Sequence, residues 1–361
     1  LCHGILIGGY ANDADFPSIR RLGVNTGFYA GAVAMEALVN DLADPQIFGA
    51  RLMWRPVAPT YKVGAGISAA ADINPAANLV ASTSDPSIAA TIDAKPIFLN
   101  VAADIEIPVF DSKDFRLILF GDFGGMLPYF TNGFTSGSVT VAPGFQWANL
   151  VTLATYPSIG IEFRNYGIEA GLMGKIFILD YRLEYQYFTG SFQPSYYDQS
   201  YDRTRGQKAQ AMYRQFAGGT VATDIRMGIS GKFGFDIADL LYFSIGYKWP
   251  WTIGVTTPVP DGNPDDFMMR LSFAEDALPF GLGFSIGFER QYFVPVFTRP
   301  TSYQFLDQYA VFGGRIDVPI GHFFKIRVGV GTSAQRDASG KPVMESGKVV
   351  LMPTFTIESV F

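Results

Sequence analysis

The sequence predicts an all-β fold: a transmembrane, antiparallel, up-and-down β-barrel of about 14 strands, with 16 strands as the alternative. Three observations support this prediction. Apolar and polar residues alternate along many segments, these segments are longer than ordinary strands, and short and long connections follow one another. The composition agrees, since charged residues make up only 17% of the chain while 32 Phe and 39 Gly are present.

The alternation is clearest in IFILDYRLEYQYF, residues 176–188, where Leu183 and Tyr185 share one face and Arg182 and Glu184 share the other. The same pattern recurs in 97–109, 114–124, 220–235, 241–251, 280–290 and 323–332. These segments run to roughly 10–14 residues, whereas a globular strand has about 5–6 and a tilted membrane-spanning strand about 9–11. The lengths therefore favour strands that cross a bilayer.

The connections alternate strictly between tight turns and long loops from residue 46 onward, as in an up-and-down barrel with turns on one rim and loops on the other. The predicted strands are 23–34, 46–54, 61–73, 96–109, 114–126, 158–173, 176–188, 220–235, 240–251, 266–274, 280–291, 308–319, 324–334 and 348–361. Residues 23–361 are therefore predicted to form the barrel. Residues 1–22 are predicted to be an N-terminal tether or partial plug.

Charge and residue usage exclude several function classes. The formal net charge of −6 argues against a nucleic-acid partner, which selects for a basic surface. The chain has two histidines, His3 and His322, and one cysteine, Cys2. Neither a nucleophile–histidine arrangement nor a Cys/His metal spacing is present, so we expect no enzyme activity, no cofactor and no metal site.

The end of the chain carries a family resemblance. In LMPTFTIESVF, residues 351–361, Phe355, Ile357 and the terminal Phe361 share one face. Together with the alternating strands and the rhythm of turns and loops, this ending resembles outer-membrane β-barrel proteins of Gram-negative-type bacteria. Ser359 departs from the pattern, because a hydrophobic residue is usual there. The strand count and the N-terminal segment are similar to the long-chain fatty-acid transporter group.

The resemblance implies a location and partners. We expect a barrel in the bacterial outer membrane, with outer-membrane lipid around it and both termini on the periplasmic side. In this family the terminal strand is read by the barrel-assembly machinery, so Phe361 is the expected assembly signal.

If the apolar face meets lipid, the polar face lines the lumen. The predicted lumen-lining residues are Asp104, Glu106, Arg116, Asp122, Glu162, Arg164, Asp180, Arg182, Glu184, Asp224, Arg226, Lys232, Arg270, Arg315, Asp317 and Arg327. Cations and anions are nearly balanced on this face. A strongly ion-selective pore would show an excess of one sign, so the balance favours cross-strand ion pairs.

Two long loops are candidates for a gate or a ligand contact. The first, 191–216, holds Tyr196, Tyr197, Tyr201, Arg203 and Arg205. Tyrosine and arginine are favoured at binding surfaces, although a solvated extracellular loop is the alternative.

The second loop, 127–156, is uncharged and includes Trp147, in a stretch that is predicted to fold into the lumen or lie on the bilayer.

The predicted function is a porin-like passive channel or transporter for small or apolar solutes. The alternative is an occluded structural barrel that anchors a larger membrane assembly and so has protein partners.

Overall fold

One long antiparallel sheet dominates the computed structural model. The structure describes residues 7–8, 23–55, 63–81, 85–154, 160–194, 196–198, 201–218, 224–238, 240–256, 259, 263–274, 277–307, 309–320, 324–332, 344–345 and 348–359. The predicted all-β, antiparallel, up-and-down architecture is confirmed.

Fifteen strands of the described residues form the wall, each antiparallel to the one before it. They are β1 Val24–Ala30, β2 Val33–Val39, β3 Ile47–Trp54, β4 Gly64–Asp72, β5 Pro96–Asp111, β6 Phe115–Phe130, β7 Tyr166–Ile176, β8 Leu179–Thr189, β9 Ile225–Ile237, β10 Leu241–Thr252, β11 Asp266–Phe273, β12 Gly283–Gln291, β13 Ala310–Ile320, β14 Phe324–Thr332 and β15 Leu351–Ser359. The two-residue strand Gly144–Phe145 adds to the end of β6 and brings the sheet to 16 strands.

The first predicted strand, 23–34, is in fact the front of a hairpin. β1 and β2 pair in register from Val24–Val39 to Ala30–Val33, and the turn between them is only two residues long. Gly31 takes a positive φ of 59°, which a glycine adopts without strain. Because the turn is so short, the sequence contains no polar loop between β1 and β2. The predicted strand 23–34 therefore joined β1, the turn and the start of β2 into one strand, and β2 was missed as a separate strand.

The count of fifteen has a consequence for the two ends of the wall. Because each strand reverses direction, Val24 lies at the long-loop rim and Ser359 at the short-turn rim. β15 pairs with β14, where Phe355 lies opposite Val328. Among the described residues, no ladder joins β1 to β15.

The predicted strand 158–173 is divided. Gly160–Phe163 pairs with Val151–Ala154 in a separate two-stranded sheet, and the wall strand β7 begins only at Tyr166. Between them Asn165 takes a left-handed conformation with φ 50°. Asparagine tolerates this region better than most residues, and the turn shifts the alternation by one position.

The described parts of the long loops contain three α-helices: α1 Pro86–Ala94, α2 Tyr201–Ala217 and α3 Phe293–Thr298. Asp85 caps α1, and Pro86 occupies its first turn, where a missing N–H costs nothing. Within the described ranges, no helix combines the length and apolarity needed to span a bilayer.

In the wall, the polar face is buried and the apolar face is exposed, which is the reverse of a sheet in a soluble protein. On β5 the inward carboxylates Asp104 and Glu106 are 6% and 8% exposed, whereas the outward Ile105 and Ile107 are 44% and 41% exposed. β6 and β4 follow the same rule, with Asp122 buried and Ile67 exposed. The polar face therefore encloses an interior, and the apolar face points outward, as in a membrane barrel.

Candidate functional site

The long-loop half of the interior is filled by the connection between β8 and β9. We call the described part of this connection, residues 191–194, 196–198 and 201–217, the lumen plug. Its aromatic side chains meet inward side chains of the wall in edge contacts, with ring centroids 5.3 Å apart for Tyr196 and Phe98 and 5.2 Å apart for Phe216 and Phe130. These rings belong to one buried apolar cluster, so the plug packs as a core rather than resting on the rim.

A buried ion pair fastens the plug to the wall. Asp72, the last residue of β4, receives a hydrogen bond of 2.7 Å from an Arg205 guanidinium nitrogen and another of 2.7 Å from the Tyr201 hydroxyl. The same guanidinium nitrogen donates to the carbonyl of Asn74 at 2.7 Å. Asp72 and Arg205 are 0% and 1% exposed, so each ion depends on the other for its neutralising partner.

Backbone contacts add to this attachment. The Tyr197 hydroxyl lies 3.3 Å from the carbonyl oxygen of Phe98 and 3.4 Å from that of Ala70. On the plug's other side, Tyr197–Asp198 forms a two-residue parallel pair with Ile7–Gly8. The rest of residues 1–22, where the tether or partial plug was predicted, lies outside the described residues.

Helix α1 packs against α2 at the outer end of the plug through a polar network. The Asp85 carboxylate accepts hydrogen bonds from Gln210 at 2.8 Å and from Arg214 at 2.6 Å. The Ser87 hydroxyl donates to Asp85 at 2.7 Å and accepts from Gln210 at 2.7 Å. The hydrogen bond from Ser87, followed by Gln210 and Arg214, holds the pKa of Asp85 below its usual value.

Two tyrosines and a lysine complete the interior of the plug. The Lys208 ammonium lies 4.4 Å from the ring centroid of Tyr196 and 5.2 Å from that of Tyr201, and it donates to the Tyr196 carbonyl at 2.6 Å. Burial raises the pKa of both hydroxyls well above the ordinary value, so both stay neutral hydrogen-bonding groups.

One glycine makes room for the plug. A Cβ on Gly167 of β7 would lie 2.3 Å from the ring of Phe192, so only glycine allows this ring to reach the wall. Arg226 of β9 holds the backbone at the same point, donating to the carbonyl of Gly190 at 2.8 Å and to that of Phe192.

Below the plug, the interior is lined by paired charges, as the near-balance of the sequence predicts. On one side Arg51 binds Asp104 at 2.6 Å and Glu106 at 3.3 Å, and Arg55 binds Glu106 at 2.9 Å. These residues come from β3, the turn after it and β5, with β4 between the two strands. They tie that part of the wall together from the inside.

Two further groups of paired charges lie elsewhere on the wall. On β8, Arg182 binds Glu184 at 2.6 Å. Gln186 donates to Glu184 at 2.8 Å and to Glu169 of β7 at 3.1 Å.

On the last strands, Asp317 lies between two guanidinium groups, with Arg327 at 2.8 Å and Arg315 at 3.4 Å.

The remaining predicted lumen residues are distributed along the wall and its rims. Asp122 faces inward on β6, and Arg270 faces inward on β11. Arg164 and Asp224 lie beyond the wall strands, at the long-loop rim. Glu162 belongs to the separate two-stranded sheet, and its side chain lies outside the described residues, as do the side chains of Arg203 and Phe361.

The structure separates the two predicted gate loops. Tyr196, Tyr197, Tyr201 and Arg205 are together inside the plug, but Trp147 is 61% exposed. Its neighbour Phe145 packs on Tyr129, an outward residue of β6, with centroids 4.9 Å apart.

A similar outward aromatic group lies on the far side of the same rim. Phe293 stacks on Phe267 at 4.5 Å, and Phe305 stacks on Phe288 at 5.0 Å.

Several residues that hold the plug were missed by sequence reasoning: Asp72, Asp85, Ser87 and Gln210. Asp85 carried a usable signal, since Asp before Pro at the start of a segment is typical of a helix start. Asp72 offered none, because its partner Arg205 lies 133 residues away in sequence.

No protein-family model matches the sequence, and no curated protein matches it either. Among solved structures, CdiB from Acinetobacter baumannii matches with a TM-score of 0.42 and 6% identity, over 94% of this chain and 56% of CdiB. FpvA of P. aeruginosa, solved in complex with pyoverdines, matches with a TM-score of 0.31 and 13% identity, over 86% of this chain and 47% of FpvA. Both are outer-membrane β-barrel proteins. The chain spans about half the length of each, and likeness at this level does not extend to function.

Proposed function

We propose that this chain is a bacterial outer-membrane barrel that passes small or apolar solutes, and that the lumen plug is its gate, closed in this state. The observation that carries the proposal is the position of the plug. A single loop fills the long-loop half of the interior while the short-turn half keeps an open cavity. The membrane location is supported by the outward apolar face and by the length of the wall strands.

The attachment of the plug suits a gate that opens. Two of its attachments, the Asp72 ion pair and the Asp85 network, are polar contacts that water replaces when the parts separate. The covalent links of the plug are only the ends of β8 and β9, which are neighbours in the wall. The loop therefore moves without any change in the pairing of the wall strands, and the pairing it gives up is the two-residue one with Ile7–Gly8.

Withdrawal of the plug would expose an apolar lining. Phe98, Phe130 and Phe188 face inward from three wall strands and are covered by the plug in the closed state. An aromatic passage above a charged one favours solutes with a large apolar part, because such solutes replace the contacts that the plug gives up.

Liposome swelling with the full chain tests the proposal. A cross-link between α1 and α2 should hold the gate shut. We would place cysteines at Ser87 and Gln210, where the Nε2 of Gln210 lies 2.7 Å from the Oγ of Ser87, with Cys2→Ser as background. A short bismaleimide linker should then abolish the flux of small sugars and of apolar amino acids. The two single-cysteine variants, treated in the same way, are the controls and should keep their flux.

The alternative function, an occluded barrel that anchors a larger assembly, is favoured by the completeness of the buried aromatic cluster. It predicts no flux from the unlinked chain and none after residues 201–217 are replaced by a short Gly/Ser linker. If flux appears only after this replacement, the plug blocks the lumen and does not open by itself. No flux in either form would refute the transport proposal.

A further inference from the structure

A cavity of about 540 Å³ opens at the short-turn end of the interior, far from the plug. We call it the mouth cavity. It is lined by the ends of β5 to β10 and carries five cationic side chains, Lys113, Arg116, Lys175, Arg182 and Lys232. Its lining holds two carboxylates, Asp111 and Asp180. The rest of the lumen wall is nearly balanced, so this excess of positive charge is local.

Strand register places like charges face to face in the mouth cavity. Arg116 of β6 lies directly opposite Lys175 of β7, and Arg182 of β8 lies directly opposite Lys232 of β9. All four side chains belong to the inward face. Directly opposed residues have Cβ atoms about 4.5–5.5 Å apart, and like charges at that distance repel. On their other sides, Arg116 faces Asp111 and Lys175 faces Asp180, whereas neither Arg182 nor Lys232 has a carboxylate directly opposite.

The carboxylates present neutralise only part of this charge. Arg116 lies 4.0 Å from Asp111, and Arg182 lies 2.6 Å from Glu184. Over the part of the chain that the structure describes, no carboxylate comes within 4.0 Å of Lys175 or Lys232. Two ammonium groups therefore remain available to a ligand, one in each of the two opposed pairs.

We propose that the mouth cavity binds a phosphate-type oxyanion, with Lys175 and Lys232 as the principal ligands and Arg116 and Arg182 beside them. An oxyanion held among four cations removes both repulsions and satisfies donors that lack a carboxylate. Tyr242 adds a hydroxyl donor, because Gly234 leaves the space next to it open: a Cβ there would lie 2.9 Å from that hydroxyl. The volume exceeds that of phosphate alone, so the ligand is a small phosphate-bearing molecule or a lipid headgroup.

Calorimetric titration of inorganic phosphate into the full chain tests this site. The chain is held in a phospholipid-free detergent, with chloride keeping the ionic strength constant. We expect saturable binding, weakened at least ~10-fold in Lys175→Met/Lys232→Met, since two charge-assisted contacts are lost. Methionine keeps the apolar stem of lysine, and circular dichroism verifies that the variant is folded. Lys325→Met, a lysine at the same rim outside the cavity, should bind as the wild type does.

A second arm distinguishes the two sources of the phosphate group. Dihexanoyl phosphatidic acid is titrated under the same conditions, and binding of this lipid alone would assign a headgroup. Melting provides an independent measure: phosphate should raise the Tm of the wild type and leave that of the double variant unchanged. If neither ligand gives saturable heat, or if wild type and double variant bind equally, the site does not exist. None of these measurements depends on solute flux, so the result stands apart from the transport proposal.

Discussion

The two halves of the interior are built from the same strands but in opposite ways. Toward the long-loop rim, the inward positions of β3 to β6 carry Ile47, Ala70, Phe98 and Phe130, and the plug seals them from water. Toward the short-turn rim, neighbouring strands carry Arg116, Lys175, Arg182 and Lys232 around an open cavity.

One half is thus closed by apolar burial, whereas the other keeps an open cavity lined by charged side chains. The alternation of apolar and polar residues along a strand therefore shows only which face of the strand is inside. What fills the inside is decided by the loop that reaches it.

The largest effect is expected from removing the buried ion pair that holds the closed half. Arg205→Met leaves Asp72 charged and buried without its partner, and we expect the closed plug to lose about 3–5 kcal/mol. Hydrogen–deuterium exchange of the α2 amides should accelerate accordingly. The double variant Asp72→Leu/Arg205→Met removes both charges and should restore most of the protection. Equal exchange in wild type and Arg205→Met would show that the pair does not hold the plug.

The inside–outside assignment, on which both halves rest, is tested on adjacent residues of β9. Ile229→Arg places a guanidinium on the outward face at mid-strand, and we expect a loss of roughly 2–4 kcal/mol in a bilayer. Ser230→Arg places the same group inside, directly opposite Glu184 on one side and Lys248 on the other, and should assemble normally because the inward face tolerates charge. Heat-modified mobility of the barrel on gels and urea unfolding from vesicles measure both. Similar defects in the two variants would overturn the assignment.

One substitution should stabilise the closed plug. The amide of Asn100 on β5 is fully buried, and neither of its polar atoms has a hydrogen-bond partner among the described residues. Asn100→Leu removes that penalty, so we expect the closed plug to gain up to ~1–3 kcal/mol. Slower exchange of α2 and reduced solute flux would be observed together. Asn149→Leu is the contrasting control. The Asn149 amide donates to the Met126 carbonyl at 3.1 Å, so its replacement should destabilise the chain.

Acid should weaken the contact between α1 and α2 at Asp85, and we expect this effect to be the smallest of the four predicted effects. The folded pKa of Asp85 is lowered, so its contribution is fully present above the ordinary value of 3.8 and is lost as the pH falls below that value through the lowered pKa. The hydrogen-exchange protection factors of the α1 amides, measured in the otherwise unchanged chain, should fall over that window. Asp85→Asn should make these protection factors independent of pH there, and an unchanged acid profile would contradict the assignment.

Most of the wall was predictable because a period of two residues marks each strand and each face. Arg182 and Leu183 illustrate this, since the alternation alone places one inside and the other outside. The hairpin of β1 and β2 was missed because its turn contains only two residues. The predicted tyrosines of the 191–216 loop do meet in the structure, yet nothing in the sequence shows that Asp72 receives Tyr201 and Arg205 from across the interior.

Register explains what the sequence leaves open at the mouth cavity. Alternation shows that Arg116 and Lys175 share the inward face, but not that they lie opposite each other. A shift of one strand by two residues would keep every face correct and change every pair. Cross-strand repulsion is therefore visible only once the ladder is known.

The plug also determines the order in which the molecule can form. Its partners Ala70, Asp72 and Phe98 lie 99 to 133 residues earlier in the sequence, on strands that are distant from its own ends in the wall. Contacts between such distant segments form slowly, because a long loop must close before they gain anything. We expect the strands to associate first around a hollow interior that admits water. The plug then docks last, so a newly inserted barrel is leaky for a time before it is sealed.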